Sequence, residues 1–435
     1  MIVSRAWAGK RFAVLGLARS GAATVRALVA GGASVVAWDS DAARRDQLAP
    51  RAGEDLVVAP LDDLTGFDAL VVSPGVPLNT HPIAAQARDA GVSVIGDIEL
   101  FAQARGDLPP HRVVGITGTN GKSTTTALVH HLCMTAGIPT LMGGNIGLPI
   151  LAQDPLPAGG VYVLELSSYQ IDLTTSLDCD VAVLLNVTPD HLDRYAGFDD
   201  YAASKARLFV MQSPAHEAVI GIGNAPSAAI ARSLSARAEH LTKIAPGVCL
   251  DQRGWPGLQG PHNAQNALAA IAVAKALGIA EVDIDRCLAS FAGLPHRMET
   301  IAVRGGVRFV NDSKATNPDS AAPALAAFPR IHWIVGGRAK SDDLDACAPH
   351  FDHVIRAYTI GEAGPRLATI LRERMPVDEA GTLAAAVSAA AAAAQPGEVV
   401  LLSPACASFD QFADFEARGA AFRVAVEALP EEGAA

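Results

Sequence analysis

Short apolar runs alternate with stretches of helical period along most of the chain. In the first hundred residues the runs at 11–16, 34–39 and 69–73 read as buried strands, and 20–30 reads as a helix between the first two, a βαβ arrangement. A Pro-containing stretch, 105–112, interrupts the pattern before a second series opens at 113–117 and continues through 161–166 and 181–187. An Ala-rich segment at 264–276 has helical character, and GLPHRME at 293–299 looks like a hinge. Beyond it lie apolar runs at 307–311, 332–335, 354–360 and 399–403, with a strongly helix-favouring Ala-rich stretch at 383–394. The expected fold class is α/β with three domains: a Rossmann-like domain over 1–100, a central P-loop ATP-binding parallel sheet over 101–294, and a second Rossmann-like domain over 295–435.

Size agrees with that division, because 435 residues exceed what one hydrophobic core organises. A composition 50% hydrophobic and 18% charged, rich in Gly, Ala and Val, suits parallel strands covered on both faces. The net charge of -11 disfavours non-specific nucleic-acid binding, which needs an excess of Lys and Arg. Six cysteines without any CxxC pair suggest neither a zinc site nor a disulfide framework, as in a reducing cytosol. No apolar run reaches about 18 residues, and the first residues lack the pattern of an export signal. A cytoplasmic protein without membrane insertion is expected.

The densest chemistry is VVGITGTNGKSTTT, residues 113–126. The GxxxxGK[ST] spacing is missed by one residue, since Ile116 stands where the first Gly belongs; TGTNGKST is a shorter variant. Its physics is unchanged. Gly118 and Gly121 permit tight bends, the backbone of Thr119, Asn120, Ser123 and Thr124 can surround phosphate oxygens, and the helix that follows adds its positive end. Lys122 would reach the β- and γ-phosphates and Ser123 a Mg²⁺. The plain alternative is a strand-to-helix turn with a solvated lysine.

Glu165 lies inside the apolar stretch VYVLELSSYQ, where an acid is costly unless it holds a metal or a strong partner. His191 follows a Pro turn in NVTPDHLDRY, at the expected carboxyl edge of a parallel sheet, and metal or phosphate contact competes there with a structural histidine. Lys205, in YAASKARLF, reads by itself as a surface helix lysine. In the first domain GLARSG (16–21) carries Ala18 where a dinucleotide fingerprint has its middle Gly, and Asp39 follows a second strand at the offset of a ribose-binding acid.

In their order GTNGKSTTT, GGNIG, LELSSYQ, NVTPDHLDRY, GPHNAQNALAA, GLPHRME, NDSKATN and SPACASFDQF resemble the Mur ligases over nearly the whole chain. Within that family the likeness is to the branch that adds D-glutamate to UDP-N-acetylmuramoyl-L-alanine in peptidoglycan precursor synthesis. The resemblance implies ATP, two Mg²⁺ ions and an acyl-phosphate intermediate. It assigns catalytic roles to Lys122, His191 and Lys205, and the metal to Ser123, Glu165, His191 and Lys205, with Lys205 carrying a CO₂-derived carbamate. Asn266, Arg297 and Asp312 would contact ATP. Ala18, Arg19, Asp39, Ser40, Ser73, Pro74, Gly75 and Asn145 would hold the UDP substrate, and Thr316, Lys340, Ser408 and Phe415 the D-glutamate. It further implies a monomer acting on small molecules.

Rival readings are another Mur enzyme or a folylpolyglutamate synthetase-like ligase, a nucleotide-gated binding protein, and a nicotinamide oxidoreductase. The last is disfavoured by Ala18; the binding protein would not need the acid, His and Lys together.

Overall fold

Apolar runs with no polar alternation must be covered on both faces, which parallel sheets flanked by helices achieve. The computed structural model describes residues 1–190, 193–248, 250–339 and 343–430. Strands β1 (Arg11–Leu15), β2 (Ser34–Trp38), β3 (Leu56–Val58), β4 (Ala69–Val72) and β5 (Ser93–Ile95) form a parallel sheet of order β3-β2-β1-β4-β5. Strands β6 (His111–Thr117), β7 (Thr140–Gly144), β8 (Gly160–Glu165), β9 (Val181–Leu184), β10 (Glu217–Gly221) and β11 (Leu241–Ile244) form a second, of order β11-β10-β9-β6-β8-β7, also parallel. The third contains β12 (Glu299–Arg304), β13 (Val307–Asn311), β14 (Ile331–Gly336), β15 (Val354–Ile360), β16 (Val377–Gly381) and β17 (Val399–Leu402), in the order β12-β13-β17-β14-β15-β16. Among the described residues of this sheet, β12 alone runs antiparallel to its neighbour.

The α/β class with three sheet-containing domains is therefore as expected. The apolar runs read from the sequence are mostly the inner strands. The sheets extend further at their edges, through short or polar strands such as β3, β7 and β16 (VDEAG). An edge strand buries less of itself, so its sequence carries a weaker apolar signal.

By internal contacts the chain forms two compact units, and Met1–Val248 with Gln265–Cys287 make the first. The first unit holds the first two sheets around one continuous apolar cluster that includes Trp7, Val25, Phe101, Tyr162, Leu184 and Tyr201. The helix Asp97–Ala104 helps seat one sheet on the other. Its buried Glu99 accepts hydrogen bonds from the amides of Thr175 (2.8 Å) and Ser176 (3.0 Å) and from the Ser176 hydroxyl (2.7 Å), which offsets the cost of burying a charge. The remaining described residues make the second unit, built on the third sheet. Among the described residues no helix is long and apolar enough to cross a membrane.

A buried polar knot lies in that unit where β14 and β17 begin. Glu398 faces Arg330 Nη2 (2.6 Å), His332 Nε2 (2.9 Å) and the Gln395 amide (3.0 Å), and His332 Nδ1 lies 3.0 Å from the Tyr358 hydroxyl. Burial opposes the charge of Glu398, but the Gln395 amide, Arg330 and His332 outweigh it and hold the carboxyl at about 2, below its ordinary 4.5. A folded-state value below the unfolded one stabilises the fold above the unfolded value, and the effect fades as pH falls towards the folded one. Glu398→Gln should cost roughly 1–3 kcal/mol at neutral pH. In thermal unfolding followed by circular dichroism its deficit should shrink between pH 4.5 and 2; a deficit independent of pH would show that the charge is not what stabilises.

Candidate functional site

In an open α/β sheet ligands gather at the carboxyl ends of strands where the order changes direction. In the second sheet β6 lies between β8 and β9, and residues 118–121 follow it directly. Gly118 (φ 151) and Gly121 (φ 85) take backbone angles that L side chains rarely adopt, and a Cβ on Gly121 would lie 2.3 Å from Asn266 Oδ1. Asn266 thus lies directly against the loop. Gly121 caps the helix Lys122–Thr135, whose first-turn amides have no intrahelical carbonyl to reach.

Asn186, just after β9, braces the loop. Its carbonyl accepts from the Thr119 amide (2.9 Å), its Oδ1 accepts from the Asn120 amide (2.9 Å), and its Nδ2 donates to Asn120 O (3.1 Å). The amides of Thr119 and Asn120 therefore turn towards Asn186, and the anion-attracting part of the turn is narrower than the sequence suggests: it begins at the helix start. Lys122 Nζ folds back onto Gly118 O (2.9 Å) and Thr119 O (2.7 Å). Ser123 and Thr124 stand in the same first turn.

Glu165 ends β8, paired in register with Ile116 of β6. It is 2% exposed; its Oε1 accepts from Asn145 Nδ2 (3.0 Å), while its Oε2 has no hydrogen-bond partner among the described residues. An unsatisfied buried carboxylate oxygen next to a phosphate-type loop suits a hard cation. Among the described residues no group of three His, Cys, Asp or Glu side chains converges as a metal site, so a cation here would draw further oxygens from hydroxyls, water and phosphate. His191 lies outside the described residues.

Lys205 is not the surface lysine its local sequence suggests. It is 1% exposed, donates to Gly118 O (3.1 Å), and its ammonium lies 4.5 Å from the centre of the Tyr201 ring. Burial and the nearby charge of Lys122 push its pKa well below the ordinary lysine value, against the opposing pull of Asp190 and Asp172. The helix Phe198–Val210 carries both Tyr201 and Lys205, one turn apart, towards the loop.

In the first sheet, Asp39 accepts from the amides of Leu17 (2.7 Å) and Asp41 (2.9 Å) and from Arg44 (3.3 Å). Burial works against its charge, but these donors hold the carboxyl below its ordinary range. Its carboxylate thus shapes the turn that carries Ala18 and Arg19, and Ser40 follows it at the strand end. Ser73 donates to Gly16 O (2.9 Å), joining the SPG turn of Ser73, Pro74 and Gly75 to the GLARSG loop. Arg19 donates to Gly147 O (3.0 Å) in the loop that holds Asn145.

The second unit collects another set. Asp312 is buried; burial pushes its carboxyl up to about 7, against the Ser403 hydroxyl (2.8 Å), the Met298 amide (3.2 Å) and the charges of Arg297 and Arg418. His296 and Met298 flank Arg297 with positive φ of 61° and 50°, a strain that packing must hold in place. Gly419 is required beside them, since a Cβ there would sit 2.1 Å from His296 Nδ1.

Arg418, 1% exposed and not singled out by the sequence, donates to Ser313 O (2.8 Å), Ser313 Oγ (3.0 Å) and Cys406 O (3.0 Å). It thereby joins the loop of Thr316 to the loop of Ser408. Phe415 opens the helix Phe415–Glu427 and its ring lies 3.8 Å from Lys314 Nζ. Asn317 caps the helix Pro318–Ala326 through the Ser320 amide (2.8 Å), which accounts for Asn-Pro after KAT. Lys340 lies outside the described residues.

The sequence matches the MurD-like N-terminal domain of Mur ligases over residues 10–96, the Mur ligase middle domain over 116–245, and the Mur ligase glutamate ligase domain over 296–406. It is 65% identical to the UDP-N-acetylmuramoylalanine–D-glutamate ligase of Novosphingobium aromaticivorans, across 99% of this chain and 98% of that one. To the enzyme of the same name from Zymomonas mobilis it is 58% identical, across 99% and 100%. Among solved structures, the fold is similar to MurF ligase from Thermotoga maritima in complex with ADP (TM-score 0.59, 16% identity, 98% and 97% covered). It is likewise similar to UDP-N-acetylmuramate-alanine ligase MurC from that organism (TM-score 0.58, 16% identity, 96% and 99% covered). With such identity along its full length and its sheets in the same fold, this chain belongs to the Mur ligase family.

Proposed function

We propose that this chain adds D-glutamate to UDP-N-acetylmuramoyl-L-alanine at the expense of ATP, releasing ADP and phosphate. The observation that carries the reading is the juxtaposition of a glycine-bent loop, a Glu165 carboxylate oxygen with no hydrogen-bond partner among the described residues, and a second buried lysine at the carboxyl edge of one sheet. A dinucleotide-binding or purely regulatory protein has no use for that set. The close relatives' shared name supplies the substrate and the amino acid.

In this reading Lys122, Ser123 and Thr124 at the helix start face the triphosphate, Gly118, Thr119, Asn120 and Gly121 form the turn that shapes its site, and Asn266, Arg297 and Asp312 are further ATP contacts. Ser123, Glu165, His191 and Lys205 would hold two Mg²⁺ ions, which supply charge neutralisation as phosphate and carboxylate oxygens converge. The alanyl carboxylate attacks the γ-phosphorus, ADP leaves, and an acyl phosphate forms. Lys122 stabilises the charge on the transferring phosphoryl group. The D-glutamate amine, held through Thr316, Lys340, Ser408 and Phe415, then attacks the acyl carbon and phosphate departs. Ala18, Arg19, Asp39, Ser40, Ser73, Pro74, Gly75 and Asn145 hold the UDP substrate, Asp39 by shaping its loop.

The burial of Lys205 supports a carbamate. Only a neutral amine adds to CO₂, and burial beside the charge of Lys122 shifts Lys205 towards that form. The resulting anion would also relieve the repulsion from Lys122. The division into domains at 1–100, 101–294 and 295–435, a monomeric state and a cytoplasmic location complete the proposal.

An ADP-release assay with UDP-N-acetylmuramoyl-L-alanine and each glutamate enantiomer tests the function directly. Turnover is expected with the D form alone, and heavy-oxygen label in the alanyl carboxylate should pass into the released phosphate; unlabelled phosphate would remove the acyl-phosphate step. Lys122→Ala should lower kcat by roughly 10²–10³-fold with an unchanged circular dichroism spectrum. For Lys205→Ala, activity should be lost and partly restored by added short carboxylates, and CO₂ depletion should slow the unaltered enzyme. Indifference to both treatments would discard the carbamate.

A further inference from the structure

A run of aromatic and charged side chains connects the SPG turn of the first sheet to the phosphate loop of the second. Arg194 Nη2 donates to Val76 O (2.9 Å) and Pro74 O (3.4 Å), and its guanidinium carbon lies 4.4 Å from the centre of the Tyr169 ring. Tyr169 stacks on Tyr195, with centroids 6.0 Å apart and planes 11° from parallel. Tyr195 meets Tyr201 edge-on at 5.4 Å, and the Tyr201 hydroxyl shares a hydrogen bond with the Thr119 hydroxyl (3.1 Å). Thr119 also bonds Thr188 O (3.0 Å) at the floor of the loop. A parallel strap joins the same two regions, from Asn79 Nδ2 to Asp193 O (2.9 Å).

Each link is of a kind that resists sliding. A guanidinium over an aromatic face, bonded through one nitrogen to two carbonyls, restrains both the ring and the turn. Offset and edge-on ring pairs have preferred geometries, so a shift of Tyr169 is felt at Tyr201. Tyr201 is 1% exposed and has nowhere to yield.

We propose that Arg194 is a positioning residue that couples the UDP-substrate end to the ATP end, each ligand tightening the binding of the other. The inference rests on the functional reading above. Because the run transmits displacement, a substrate that holds the turn at 73–76 holds Arg194, the tyrosines and, through the Tyr201 hydroxyl, Thr119 in the arrangement the nucleotide meets; thermodynamic linkage makes the effect equal in both directions.

Titration calorimetry on the full chain with a non-hydrolysable ATP analogue, with and without saturating UDP-N-acetylmuramoyl-L-alanine, measures the coupling. The unaltered protein should bind the analogue roughly five-fold or more tightly when the substrate is present. Arg194→Ala and Tyr169→Leu should reduce that factor to near unity while each ligand alone still binds. Arg194→Lys keeps the charge over the ring but not the planar fork, and should fall between. If Arg194→Ala does not fold, Arg194→Lys decides: full coupling in either Arg194 variant, or none in the unaltered protein, overturns the inference. Failure of the unaltered protein to bind the UDP substrate at all would sink the functional reading and this one with it, whereas coupling that survives substitution sinks this one alone.

Discussion

Two lysine ammonium groups converge on one carbonyl oxygen, and much of the first unit is arranged around that crowding. Lys122 and Lys205 both donate to Gly118 O, at 2.9 and 3.1 Å, in a place where Lys205 is almost wholly shielded from water. Like charges this close, with little solvent between them, repel strongly. The pair persists because a single bent glycine offers its carbonyl to both, and because the Tyr201 ring face meets one of them. A site built this way is incomplete without negative charge. Phosphate oxygens, or a carbamate on the buried amine, would supply it.

The opposite imbalance sits one strand away. Glu165 has one carboxylate oxygen bonded to Asn145 and one bonded to nothing described, which is costly in a fold that otherwise satisfies its buried acids. Glu99, buried to a similar degree, shows the contrast: both of its oxygens accept hydrogen bonds. Cation-rich and anion-rich faults side by side on one sheet edge mark a place where stability has been exchanged for readiness to bind.

How much of this the sequence discloses depends on whether the determinant is local. The glycine-bent loop, the inner strands and the strand-to-helix order are local, and they are legible in the apolar runs and in TGTNGKST. Glu165 was legible because an acid inside an apolar strand conflicts with its surroundings. Lys205 was not, except through family resemblance, because its helix YAASKARLF has the look of any half-exposed helix, and the partner its buried ammonium reaches, Gly118 O, is far away in sequence. Asn186 and Arg418 escaped for the same reason: their partners, at 119–120 and at 313 and 406, are far away in sequence. Asp39 was half legible. Its offset from the glycine loop pointed to a functional acid, but its carboxylate is committed to the Leu17 and Asp41 amides.

The second unit applies the same logic to its backbone. His296 and Met298 hold positive φ without being glycine, and Ala405 does so at 55° in the SPACAS loop. Such residues revert to ordinary geometry unless their neighbours forbid it. Here the neighbours are specific: Asn311 Nδ2 lies 2.9 Å from His296 Nδ1, Gly419 leaves room for the ring, and Arg418 clamps Ser313 and Cys406 from the same helix. One turn of Phe415–Glu427 therefore enforces strain on two loops at once. The residues assigned to ATP and to the amino acid, Arg297, Asp312, Thr316 and Ser408, lie on or beside those loops. Their geometry is thus inherited from Arg418 and Gly419 of that helix, neither of which need touch a ligand itself.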